Sequence, residues 1–158
     1  MVKNISFLLN GISKNFNVDP NEKLLDVLRK NGYKGTKYGC GEGECGTCTV
    51  LLNGKPVYAC LLYAFQADGK KIETIEGIGT FENPDKIQKT LVDEGAVQCG
   101  YCIPGIVLSA KAMFEEKQTP NEEDIKIHMD GNLCRCTGYV KILSALQKIS
   151  SENKKGVN

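Results

Sequence analysis

Cys40-Gly41-Glu42-Gly43-Glu44-Cys45-Gly46-Thr47-Cys48 places three thiols four and two residues apart in one short loop, and a fourth, Cys60, follows after eleven more residues. Thiolates are soft, anionic ligands that hold ferric iron and sulfide, which neutral imidazoles alone do not. The spacing is that of a [2Fe–2S] cluster. Gly39, Gly41, Gly43 and Gly46 are expected to let the backbone take positive φ and wrap closely, so that amide N–H groups can point at cluster sulfurs. A structural zinc site and a pair of disulfides are the alternatives. Zinc knuckles present two separated Cys-x2-4-Cys pairs, whereas here one loop offers three ligands and a returning strand the fourth, which favours iron.

A second constellation lies further on. Gln98-Cys99-Gly100-Tyr101-Cys102 precedes one predicted helix and Cys134-Arg135-Cys136 another, with thirty-one residues between Cys102 and Cys134. Two helix N-termini would aim partial positive charge and unpaired N–H groups at one point, which favours an anionic thiolate–sulfide cluster. Tetrahedral zinc stays open for this set taken alone. Beside the first site a second [2Fe–2S] cluster is favoured, because an electron carrier gains from a second centre only if it is redox-active, and Zn²⁺ is not. No βαβ pattern surrounds Cys99 and Cys102, which argues against a thioredoxin-like dithiol.

The elements that must position these thiols are legible in the flanking pattern. Val2–Leu9 and Ile12–Val18 alternate around Asn10-Gly11, the dipeptide of a tight β-hairpin. Asp19-Pro20-Asn21-Glu22 predicts a capping box opening a helix of about three turns that ends before Gly32. Thr49–Leu52 and Pro56–Cys60 flank Asn53-Gly54 as a second hairpin, and Lys71–Ile75 is a last strand. Hairpin, helix, cluster loop, hairpin and strand together suit a mixed sheet crossed by one helix, the β-grasp arrangement. Past Phe81 four helices are expected: from Asn83-Pro84 to Asp93, from Ile103, from Thr119-Pro120-Asn121-Glu122 to Gly131, and from Gly138 to Ile149. Ser151–Asn158 is expected to fray. The fold class expected is α+β, with a boundary near Gly77–Glu82.

Charge and hydropathy narrow the role. A formal net charge of +1 argues against a nucleic-acid or acidic-membrane partner held by bulk electrostatics. No apolar run approaches 18 residues, so no membrane-spanning segment is expected. Eight cysteines with one histidine suggest metal before disulfides, and Met1-Val2-Lys3-Asn4 shows no leader pattern, so the reducing cytoplasm is the expected compartment.

The full set Cys40, Cys45, Cys48, Cys60 with Gln98-Cys99-Gly100-Tyr101-Cys102-Ile103-Pro104-Gly105 and Gly131-Asn132-Leu133-Cys134-Arg135-Cys136-Thr137-Gly138-Tyr139 resembles the iron–sulfur subunit of the xanthine oxidase family of molybdenum hydroxylases, over about Lys3 to Ile149. The resemblance implies a ferredoxin-like [2Fe–2S] domain over 1–78 and a four-helix [2Fe–2S]-binding domain over 79–158. It implies that Cys40, Cys45, Cys48 and Cys60 bind the cluster nearer the flavin, and Cys99, Cys102, Cys134 and Cys136 the one nearer molybdenum. Gln98 and Cys136 match positions that approach the molybdopterin cofactor. Electrons released at molybdenum, where water supplies the oxygen atom, would pass through both clusters to FAD. This chain has no catalytic residue of its own and no phosphate-binding fingerprint. A large molybdopterin-binding subunit and a medium FAD-binding subunit are therefore the implied partners, with a lean toward a xanthine- or nicotinate-type substrate. A free-standing two-cluster ferredoxin and a zinc-stapled interaction module are the rival readings.

Several further residues have plain expectations. His128 is expected to pack on its helix, Arg135 to make either a structural link or a contact to cofactor or sulfur, and Glu42 and Glu44 to be solvated. Tyr101 and Tyr139 are expected to pack over the helical cluster, and Gly105 to mark a close backbone contact.

Overall fold

The computed structural model describes residues 2–156. Strands β1 (Lys3–Leu9) and β2 (Ile12–Val18) pair antiparallel in register Leu9 to Ile12. Asn10 and Gly11 both take positive φ, 51° and 80°, as a type I′ turn requires. Strands β3 (Thr49–Leu52) and β4 (Lys55–Tyr58) repeat the device over Asn53-Gly54. Strand β5 (Lys71–Glu73) lies between the two hairpins, parallel to β1 and antiparallel to β3, giving the order β2-β1-β5-β3-β4. Ile5, Phe7 and Leu9 alternate inward and meet Leu24, Leu25, Val27 and Leu28 of helix α1 (Leu24–Lys30). Each such side chain contributes roughly 1.5–3 kcal/mol of burial, so this face fixes the register of both hairpins.

Helix α1 starts later than the Asp19-Pro20 signal indicates. The capping contacts do form: Asn21 donates its N–H to the Asp19 carboxylate at 3.0 Å and Asp19 donates to Glu22 at 3.3 Å. They close a turn, however, because the next residues are claimed by another segment. Leu24 N–H bonds Leu62 O, Ala64 N–H bonds Glu22 O, and Lys23 bridges Tyr63. That extended pairing ties the Cys60 segment to the start of α1 and delays the helix. The last strand likewise stops at Glu73, where Asn10 accepts the Thr74 N–H through its side chain at 2.8 Å.

Four helices follow: α2 (Lys86–Asp93), α3 (Ile103–Glu116), α4 (Glu122–Met129) and α5 (Val140–Lys155). Asp85 caps α2 and Asn121 caps α4, each two residues inside the signals at Asn83 and Thr119. Helix α5 runs six residues beyond the expected end. Ser150 donates to Pro120 O at 2.7 Å, Asn153 to Gln118 O at 2.8 Å, and Glu152 pairs with Lys86 at 3.1 Å. The polar tail is thus held by the α3–α4 connection rather than frayed; Met1, Val157 and Asn158 lie outside the described residues.

The sheet and the helices share a seam. Helix α3 packs on β3, and Leu51 joins the core of Ile106, Val107, Ala110 and Met113. A β-carbon on Gly105 would sit 2.4 Å from Gly46 O, and one on Gly46 would sit 2.1 Å from Gly131 O. Asn132 bonds Gly46 O at 3.3 Å, and Tyr58 donates its hydroxyl to Gly131 O at 2.9 Å. Gly105→Ala should therefore force the seam apart and cost about 1–3 kcal/mol. A denaturant midpoint unchanged from wild type would show that the backbones do not meet there.

Candidate functional site

The loop from Cys40 to Cys48 curls because Gly41, Gly43 and Gly46 all have positive φ, whereas Gly39 does not and is needed for space instead, a β-carbon there meeting Thr47 Oγ1 at 2.5 Å and Cys45 Sγ at 2.6 Å. The consequence is a ring of inward amides. Glu42 and Glu44 donate their N–H groups to Cys40 Sγ at 3.4 and 3.3 Å, and Cys40 donates its own to Cys45 Sγ at 3.4 Å. The backbone N–H groups of Glu42, then of Glu44 and Cys45, draw the exposed Cys40 thiol down to about 6. Burial pushes Cys48 the other way, to about 12. Cys60 reaches the loop from the turn after β4 and is also buried.

Of the second quartet only Cys102 stands at a helix start; Cys99 precedes it, and Cys134 and Cys136 lie in the loop before α5 rather than at its N-terminus, contrary to the expectation of two helix ends. Cys102 is the residue that starts α3, and burial pushes its thiol up to about 12. Tyr139 enters α5 from a left-handed conformation, φ 67°, unusual for a residue with a β-carbon. That turn carries Thr137 and Tyr139 back onto Cys134. Tyr139 Oη accepts the Cys134 N–H at 2.8 Å, Thr137 Oγ1 donates to Cys134 Sγ at 3.1 Å, and Tyr139 N–H donates to Thr137 Oγ1 at 3.1 Å. Burial opposes ionisation of Cys134, but the hydroxyl of Thr137 and the N–H groups of Thr137 and Cys136 outweigh it and hold the thiol below its ordinary value.

All eight cysteines are free. Among the described residues no three metal-binding side chains converge on a point suited to one ion. The sulfurs meet instead in four pairs: Cys40 with Cys45, Cys48 with Cys60, Cys102 with Cys134, and Cys99 with Cys136 at 3.5 Å. Two thiolate pairs per quartet match the donor set of two binuclear clusters, each iron taking one pair. The buried thiols Cys48 and Cys102 also need a cation to ionise, since a buried uncompensated thiolate is costly. The residues thus fit the group.

The quartets meet at the seam. Leu133 N–H donates to Cys45 O at 2.9 Å, one residue from Cys134, so a short run of covalent bonds with one hydrogen bond joins a thiol of each set. Tyr101 Oη donates to Tyr38 O at 2.5 Å, so this ring reaches toward the first loop instead of packing over the second set. His128 behaves as a helix residue, its Nδ1 2.8 Å from Asp124 O. Gln98, Cys99, Arg135 and Cys136 are exposed, open to a group from outside the chain. The seam residues Tyr58, Asn132 and Leu133 and the hydroxyls of Thr47 and Thr137 carry no sequence signal for contacts made with such distant or backbone-placed partners. In metal-freed protein at pH 7, above the Cys40 value and far below those of Cys48 and Cys102, iodoacetamide should label Cys40 first and those two last. Uniform labelling, read by peptide mass spectrometry, would contradict the geometry.

Residues 7–73 match the family described as 2Fe-2S iron-sulfur cluster binding domain, and residues 74–147 match the [2Fe-2S] binding domain family. The chain is 47% identical over 144 residues to the nicotinate dehydrogenase small FeS subunit of Eubacterium barkeri, covering 90% of this chain and 92% of that one. Over 93% of its length it is 44% identical to 12% of the xanthine dehydrogenase of Emericella nidulans, a far longer polypeptide. The crystal structure of quinoline 2-oxidoreductase from Pseudomonas putida 86 superposes with a TM-score of 0.92 at 38% identity, covering 98% of both chains.

Proposed function

The chain belongs to the iron–sulfur (small) subunits of the xanthine oxidase family of molybdenum hydroxylases, and we propose that each of its cysteine quartets holds one [2Fe–2S] cluster. Cys40, Cys45, Cys48 and Cys60 hold one; Cys99, Cys102, Cys134 and Cys136 hold the other. The observation that carries the assignment is the meeting of the eight sulfurs in four pairs, two pairs to a quartet. Of the described residues, those up to 78 form the ferredoxin-like β-grasp unit and those from 79 onward the four-helix unit.

The chain is the electron-transfer subunit of a molybdopterin- and flavin-containing dehydrogenase, in which electrons from molybdenum pass through two [2Fe–2S] clusters to FAD. Its residues serve that passage by placement. The Leu133–Cys45 hydrogen bond keeps the quartets adjacent, and the buried Cys48, Cys60 and Cys102 keep water from the middle. Exposed Gln98 and Cys136 face outward to the pterin of a large molybdopterin-binding subunit, Gln98 by hydrogen bonding. Exposed Cys40 is the sulfur we assign to the side met by a medium FAD-binding subunit. No helix among the described residues is long and apolar enough to cross a membrane, and the cytoplasm is the compartment we infer from the free thiols. Nicotinate dehydrogenases, xanthine dehydrogenases and aldehyde oxidoreductases are all among the relatives, and from the first two we infer a substrate of the nicotinate or purine class.

Purified anaerobically, the chain should carry about four irons and four acid-labile sulfides with two distinct reduced-state EPR signals. Cys45→Ser and Cys134→Ser should each remove one signal, a different one. Zinc in their place, or a single signal lost by both variants, would overturn the assignment. Isolated with its partners, the complex should reduce its clusters on addition of nicotinate or xanthine; a monomer with no large partner would mark a free-standing carrier instead.

A further inference from the structure

We propose that Thr47 and Thr137 are a matched pair of potential-setting residues, one hydroxyl for each cluster, acting on the two ligands that border the seam. The inference rests on the ligand assignment above and goes beyond it. Thr47 Oγ1 lies 3.3 Å from Cys45 Sγ, and Thr137 Oγ1 lies 3.1 Å from Cys134 Sγ. A metal-bound thiolate has no proton to give, so in both contacts the hydroxyl is the donor. Cys45 and Cys134 both border the seam, since the Cys45 carbonyl accepts the N–H of Leu133, the residue before Cys134. Each half therefore directs a side-chain hydroxyl donor to a sulfur beside the seam.

Both hydroxyls are held in place. Thr47 is buried, only 7% exposed, and its backbone carbonyl is fixed by the Lys37 N–H. Thr137 Oγ1 accepts the Tyr139 N–H at 3.1 Å, which occupies a lone pair and leaves its proton for the sulfur. A donor to a thiolate sulfur stabilises negative charge there. Reduction adds one negative charge to the centre, so the hydroxyl favours the reduced state and raises the potential. At both ligands backbone amides add to the hydroxyl: the Cys40 N–H at Cys45, and the N–H groups of Thr137 and Cys136 at Cys134. Each hydroxyl is the side-chain part of a set of donors and can be removed without disturbing the backbone ones.

The test is an EPR-monitored redox titration of the full chain carrying Thr47→Val, Thr137→Val and the corresponding serine substitutions. Iron and sulfide content is measured on each variant first. Each valine variant should keep both clusters and lower the potential of one only, so that the reduced-to-oxidised ratio of that cluster falls about tenfold at fixed solution potential, a shift of about 59 mV for one electron. Serine, which keeps the hydroxyl, should restore the wild-type value, and the cluster shifted by Thr47→Val should not be the one shifted by Thr137→Val. Where valine prevents assembly, alanine at the same position is read in the same way. Intact clusters with unchanged potentials, or serine variants shifted as far as valine, would overturn the proposal. Loss of iron from wild type itself would instead overturn the ligand assignment.

Discussion

The seam between Gly46 and Gly105 constrains everything else, because a β-carbon at either residue would collide with the facing backbone. Where two backbones come that close, carbonyl and amide groups of one half bond directly to the other. Asn132 and Leu133 use that proximity to reach the carbonyls of Gly46 and Cys45. Electron transfer falls steeply with distance, so a chain that passes electrons between two centres is served by a seam that brings the two cysteine loops together. Small residues at the crossing satisfy the need. Leu51 on one side and Ile106 on the other then add the apolar contact that keeps the crossing shut.

Burial divides the same sulfurs. Cys48, Cys60 and Cys102 are buried, while Cys40, Cys99 and Cys136 are exposed. Buried sulfur keeps stronger electrostatic interactions with its donors. Exposed sulfur leaves room for a group from a neighbouring polypeptide. The donors differ too: backbone amides crowd the exposed Cys40, and side-chain hydroxyls reach Cys45 and Cys134 beside the seam.

Local signals in the sequence told the elements well where the segment is satisfied by itself. Asn10-Gly11 and Asn53-Gly54 gave both hairpins, since an I′ turn needs only those two residues. The glycine-laced cysteine loop announced inward amides, and those amides are there. Gly105 was read as a close contact, and Gly46 is its partner. The failures share one cause. Pro20 signalled a helix start that pairing of Glu22–Leu24 with Leu62–Ala64 overrode, and the polar Ser151–Lys155 stretch is held by residues of the α3–α4 connection. Tyr101 hydrogen-bonds a carbonyl 63 residues away, and Tyr58 one 73 residues away. No local pattern encodes such partners, because their energies exist only once the two halves have met.

Those same long-range contacts explain why so small a chain tolerates eight thiols. Left as thiols, Cys48 and Cys102 are neutral at physiological pH, since burial has pushed both to about 12, and they cost the fold little. Each must release a proton when it becomes a ligand, so higher pH favours cluster insertion at these positions. Cys40, already drawn to about 6 by its amides, releases almost none at neutral pH and is the readier ligand. The fold therefore separates the two demands on a cysteine quartet: exposed, amide-supported sulfur that is ionised before metal arrives, and buried sulfur that ionises only against the metal's charge. Because buried sulfur of the second kind would ionise only against bound metal, the free energy of coordination at such positions would become part of the stability of the fold.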